Sequence, residues 1–150
     1  MPLLEMIGRM SMFEHFSEDE KKAFAEMEHS ILEFSQDENI ITEGEAGKSL
    51  FLLIEGTCLI TKTADNAKIQ LSKLSPGEIF GEMSFFSEQL RQSSVTAKGD
   101  VKVLKMDDDF FKKADSNIRE RIKEHLIKLL INRLDNMNAA IMRISKLMRA

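Results

Sequence analysis

Cys58 is the only cysteine among the 150 residues, which excludes an intrachain disulfide framework and agrees with a reducing compartment. It reads as a small buried hydrophobe in a strand. Histidine is scarce too: His15, His29 and His125 are far apart, no Cys/His/Asp cluster has metal-ligand spacing, and no metal site is expected. No apolar run approaches the roughly 20 residues that span a bilayer. Met1 to Met10 carries Glu5 and Arg9 where a signal peptide would need an apolar centre. A cytoplasmic chain without membrane association is therefore expected. Basic charge is not in excess either. A formal net charge of −4 and a pI near 5.5 leave no overall field for a phosphate backbone, which speaks against direct nucleic-acid binding. No Ser stands in a nucleophile elbow. Gly47-Lys48-Ser49 looks like the end of a triphosphate loop, but Thr42 stands where that loop needs its first Gly. The β-like run Leu50 to Ile54 then follows where a helix should. Gly44 to Gly47 reads as a tight turn, and the chain as a binding module, not an enzyme.

What is present suits one core: with 43% hydrophobic residues, the chain can bury enough apolar surface without staples. The pattern from Leu3 to Glu28 is helical, and Ser17-Glu18-Asp19-Glu20 has capping-box spacing ahead of an apolar face at Ala23, Phe24 and Met27. From Ser30 to Met106 the elements become short and β-like, over 31–34, 40–42, 50–55, 57–63, 68–74, 94–97 and 101–106. Turn residues separate them at Gly44, Gly47, Gly56, Asp65-Asn66, Pro76-Gly77 and Gly99-Asp100. Many short strands at this spacing predict a mainly β fold, a small antiparallel β-roll or jelly-roll barrel. Asp107-Asp108-Asp109 precedes a short helix reaching Lys113, where carboxylates favour the positive end of the helix dipole. That run is read as capping.

After Asp115-Ser116 a helical run without Gly or Pro reaches the C-terminus. Residues 1–114 are thus expected to form the β-roll domain with its N-terminal helices, and 115–150 a long C-terminal helix. Ile127, Leu130, Leu134, Met137, Ile141, Ile144 and Met148 are spaced alternately three and four apart along it. Such a heptad stripe favours a parallel pair of helices, so a homodimer is expected. A helix of roughly 33 residues is about 50 Å long and overhangs a barrel this small.

The chemistry concentrates between Phe80 and Ala97. Gly81 lets the backbone approach a ligand, and a short helix over Met83 to Phe86 would offer unpaired N–H groups to an anion. Arg91 supplies forked donors that match phosphate oxygens, while Glu82 accepts from a sugar hydroxyl. Phosphate plus ribose is the implied ligand.

Phe80-Gly81-Glu82, then Arg91 and Ser93-Ser94-Val95-Thr96-Ala97, closely resembles the phosphate-binding cassette of cyclic nucleotide-binding domains. The resemblance covers nearly the whole chain, including Glu43-Gly44-Glu45, Ile54-Glu55-Gly56 and Leu74-Ser75-Pro76-Gly77-Glu78. It implies a double-stranded β-helix that binds cAMP or cGMP, with no cofactor beyond that ligand. Glu82 would bind the ribose 2′-hydroxyl and Arg91 the cyclic phosphate, assisted by amides near Met83, Ser84, Gln92 and Ser93. Ile60 and Leu71 match positions that wall the base.

Two residues depart from the family pattern: Gln92 replaces the usual small residue after the Arg, and Leu90 stands where many members have Pro. Gln92 would either crowd the phosphate or turn its amide toward the ligand. In the family the C-terminal helix also lids the pocket, and Asn132, Arg133 and Asn136 interrupt the apolar stripe at about that depth. They are expected either to contact the base or to face solvent. No helix-turn-helix, kinase, channel or cyclase sequence follows Ala150. The expectation is a stand-alone regulatory member signalling through its dimer surface to a separate, unidentified protein, or the sensory part of something longer. A ligand-free dimerisation scaffold of the same fold is the alternative.

Overall fold

Two long strands, bent but unbroken, carry the architecture of the computed structural model, which describes residues 2–27 and 30–149. β1 (Ile31–Phe34) and β2 (Asn39–Ile41) lead into β3 (Leu50–Ala64), followed by β4 (Ala67–Leu74), β5 (Ile79–Phe80) and β6 (Ser94–Met106). All pairings are antiparallel, in the order β1-β6-β3-β4, with β2 on β6 and β5 on β3. This is the expected jelly roll, except that the expected breaks at Gly56 and at Gly99-Asp100 are bends inside β3 and β6. The β3–β6 register shifts on both sides of Glu55, and Gly56 has φ +95°. A Cβ on Gly56 would stand 2.4 Å from the Asp100 carbonyl oxygen, so the two bends nest against each other. Bulges of this kind turn a strand without ending its ladder.

Alternation along β3 assigns its faces. Leu50, Leu52 and Ile54 join Leu104 and Met106 beneath the helices, whereas Phe51, Leu53 and Cys58 fill the barrel with Val95, Val101 and Val103. The helical layer consists of α1 (Leu3–Ile7), a 3-10 turn (Ser11–Phe13), α2 (Glu18–Ala25), α4 (Asp108–Lys113) and α5 (Ser116–Arg149). Phe13, Phe16, Phe24 and Phe110 meet edge to face there, with ring centroids 4.7 to 6.3 Å apart. The capping box forms as the sequence predicts: Glu20 N–H donates to Ser17 Oγ and Ser17 N–H to Glu20 Oε1. Asp107 caps α4 by accepting from Phe110 N–H at 2.9 Å.

Ile118, Ile122 and Leu126 bury the first half of α5 in this same cluster. Beyond Arg133 the helix leaves the barrel, and every residue of the heptad stripe except half-buried Leu130 is exposed, from Ile127 at 56% to Met148 at 82%. His29 lies outside the described residues. Among those residues, no helix is long and apolar enough to cross a membrane.

Candidate functional site

β5, which the sequence reading missed, positions the cassette. Gly77, at φ +95°, turns the chain so that its N–H donates to the Leu53 carbonyl, and the Glu78 carbonyl accepts from Leu53 N–H. Phe80 then pairs with Phe51 and delivers Gly81 to the rim of the barrel. At φ +87° Gly81 caps α3 (Glu82–Ser87), which ends at Glu88, φ +58°. The short helix is therefore one residue longer at each end than Met83 to Phe86.

Arg91 is clamped from two sides. Its N–H donates to the Glu45 carbonyl at 2.9 Å and its carbonyl accepts from Gly44 N–H at 2.8 Å, which ties the cassette to the 43–49 loop. The residue is 8% exposed, and its guanidinium donates from Nη1 to the Gly81 carbonyl at 3.0 Å and from Nη2 to the Ser49 carbonyl at 2.9 Å. A side chain on Gly47 would press within 3.2 Å of Arg91 Nε, so the turn dismissed as a phosphate loop serves as the backing of the arginine. Burial lowers the Arg91 pKa, yet a guanidinium starts so high that it stays charged. Two of its N–H groups are committed to carbonyls, and the rest remain for an anion.

Glu82 is the second buried charge, 6% exposed, and it forms an ion pair with Nη1 of Arg133 on α5. Leaving water lowers the Arg133 pKa, while the negative charge of Glu78 acts in the opposite sense. Ser84, 3% exposed, lies one turn from Gly81.

These groups border one cavity of about 560 Å³. Gly81, Glu82, Met83 and Ser84 form one wall, Arg91, Gln92 and Ser93 the next, and Ile60 and Leu71 the strand side. Arg133 closes it from α5, and three lining residues that sequence reading missed, Lys62, Lys73 and Glu78, complete the rim. Alternation along the β3–β4 hairpin could have flagged the two lysines, which stand two positions from Ile60 and Leu71. The Gln92 carboxamide donates to Gln89 Oε1 at 2.8 Å and is exposed, so it lies beside the arginine without covering it.

Asn132 and Asn136 do not border this cavity. The stripe of α5 that faces the barrel runs through Ile118, Ile122, Leu126 and Leu129, and Arg133 continues it; Asn132 is turned off that stripe, and Asn136, one turn beyond Arg133, shares its phase, but both are exposed. Asn132 instead borders a neighbouring groove of about 460 Å³, which brings together His15 and His125 and shares Glu78 and Arg133 with the first. His125 has its pKa lowered by burial and by the Lys128 charge.

The sequence pattern of the cyclic nucleotide-binding domain matches residues 31–116. A CRP-like cAMP-activated global transcriptional regulator of Mycobacterium tuberculosis is 29% identical over 137 residues, which is 89% of this chain and 59% of the regulator. A cAMP-dependent protein kinase regulatory subunit of Yarrowia lipolytica is 33% identical over 86 residues, 57% of this chain and 22% of the subunit. The chain thus spans only part of the length of either relative. Among solved structures, the Catabolite Activator Protein of Thermus thermophilus superposes with a TM-score of 0.74 at 23% identity, covering 89% of this chain and 62% of that one.

Proposed function

Because this chain belongs to the cyclic nucleotide-binding domain family, we propose that it is a non-enzymatic regulatory module that binds cAMP or cGMP in the cavity beneath Arg133. One observation carries the reading: two buried side chains of opposite charge, Arg91 and Glu82, face a single cavity large enough for a nucleotide. Burying a charge is unfavourable unless a partner compensates. An anionic phosphate for Arg91 and a hydroxyl donor for Glu82 are the complementary pair. Amides near Met83, Ser84, Gln92 and Ser93 assist the phosphate, and Ile60 and Leu71 wall the base. Leu71 is 56% exposed, in keeping with an apolar surface that a purine would cover.

The output is α5. Ligand in the cassette shifts the population of α5 positions and with it the surface that Ile127, Leu130, Leu134, Met137, Ile141, Ile144 and Met148 offer to a second copy. The homodimer through this stripe, and a separate protein partner that reads it, belong to the same proposal. A cavity bordered by Arg91, with Gln92 exposed and turned to Gln89, speaks against the ligand-free scaffold. Calorimetric titration with cAMP and with cGMP is the test, and Arg91→Ala is expected to remove binding. No heat with either nucleotide at millimolar concentration, or unchanged affinity in Arg91→Ala, overturns the reading.

A further inference from the structure

Arg133 occupies a singular place in the molecule. It continues the barrel-facing stripe of α5 at the point where the helix leaves the core, and it borders both cavities. In one direction it pairs with Glu82, whose side chain is only 8% exposed. In the other lies Glu78, the acidic residue that also borders both cavities and whose charge acts on the Arg133 guanidinium. Glu78 is held in place by accepting the Ser75 N–H at 2.6 Å through Oε2, and among the described residues Oε1 accepts no hydrogen bond. Lys62 and Lys73 border the nucleotide cavity as well, but among the described residues neither forms an ion pair with these carboxylates. The pair engages Glu82 through Oε1, so a ribose hydroxyl that draws this carboxylate toward the ligand weakens the pair, and a guanidinium released from it needs another acceptor nearby.

We infer that Arg133 is a two-position latch, holding Glu82 in the nucleotide-free protein and passing to Glu78 when a ribose hydroxyl takes Glu82. The inference rests on the proposed nucleotide reading of the cavity. Ligand entry then competes directly with a contact between α5 and the barrel, and Glu78 sets how readily the contact exchanges. Glu78 is a positioning residue here, acting on the ligand only through Arg133.

A double-mutant cycle tests it, with cAMP and cGMP affinities measured for the wild type, Arg133→Ala, Glu78→Gln and the double variant. Gln at 78 keeps an acceptor for Ser75 N–H, so the turn is preserved. Arg133→Ala should bind roughly 5- to 20-fold more tightly, within the usual range of site-to-site coupling. Glu78→Gln should bind about threefold more weakly than wild type and show no effect when Arg133 is already Ala. Weaker or unchanged binding in Arg133→Ala, or an equal effect of Glu78→Gln in both backgrounds, overturns the latch. Amide exchange of residues 127–136 in the nucleotide-free protein gives a second readout, and Arg133→Ala should accelerate it several-fold. If the wild type binds neither nucleotide, the functional reading fails and exchange alone decides whether the latch holds; unaccelerated exchange overturns it.

Discussion

Replacing Gly81 by Ala separates backbone strain from damage to the arginine clamp, because Gly99 supplies a matched control. Both glycines have left-handed backbones, φ +87° and +82°, which disfavour any L side chain by about 1–2 kcal/mol. A stiffer unfolded chain offsets part of this, roughly 0.4–1 kcal/mol. A Cβ on Gly99 would meet nothing within 4 Å, so Gly99→Ala should destabilise by about 1 kcal/mol or less. At Gly81 the same atom would stand 2.9 Å from the Ser49 carbonyl oxygen, 3.1 Å from Arg91 Nη1 and 3.3 Å from Ile41 Cδ1. Something there must move. Overpacking of this kind costs about 1–3 kcal/mol, and disturbing one of the charge-assisted bonds from Arg91 adds roughly 1.5–3 kcal/mol. Gly81→Ala should therefore lose about 2.5–7.5 kcal/mol, a large share of the roughly 5–15 kcal/mol that a domain possesses. Guanidinium unfolding followed by circular dichroism reads both variants, with equal m-values as the condition for comparing midpoints. If the two variants agree within about 0.5 kcal/mol, the close approach of Gly81, Ser49 and Arg91 is not the constraint described.

Other perturbations probe different layers. Asp107→Ala removes the cap on α4 and should cost about 1 kcal/mol, with Asp107→Asn restoring most of it; equal unfolding midpoints for wild type and Ala would refute the cap. Burial pushes the Cys58 thiol from 9.0 up to about 11, so the folded state holds its proton while the unfolded chain releases it. Stability from this group is complete below pH 9 and should fall by roughly 2–3 kcal/mol as pH rises toward 11. Denaturation midpoints measured across that range should lose the corresponding slope in Cys58→Ala. In sedimentation at micromolar concentration the wild type should run as a dimer and Leu134→Glu as a monomer of intact fold, since Leu134 is 59% exposed on the single chain. A monomeric wild type removes the heptad argument.

Arg91 and Glu82 are buried charges of opposite sign that are braced in different ways. Arg91 is braced by the backbone carbonyls of Gly81 and Ser49, and Glu82 by Arg133. Carbonyl bracing holds the guanidinium without neutralising it, so its charge is preserved for an anion. An ion pair, by contrast, balances the charge of Glu82 through one oxygen, Oε1.

Local periodicity and spacing make much of this chain legible from its residues alone. The alternation through Leu50 to Ile54, the capping box at Ser17, the Asp107 cap, the stripe from Ile127 to Met148, and the Gly81-Glu82 and Arg91 pattern depend on neighbours a few positions apart, and a sequence displays such neighbours directly. What required the folded chain were relations between distant segments. Gly56 and Gly99 look like turns in isolation and become bends because each strand continues to pair with the other. Ser49 and Gly47 support Arg91 only because the 43–49 loop is folded across the cassette. Among Asn132, Arg133 and Asn136, the sequence shows three polar candidates; the phase of α5, set by the burial of Ile118, Ile122 and Leu126, turns Asn132 aside, and its position along the helix puts Arg133 rather than the exposed Asn136 beside Glu82. Helical phase is a local property, but the direction in which it is anchored is not, because burial against the rest of the core decides it.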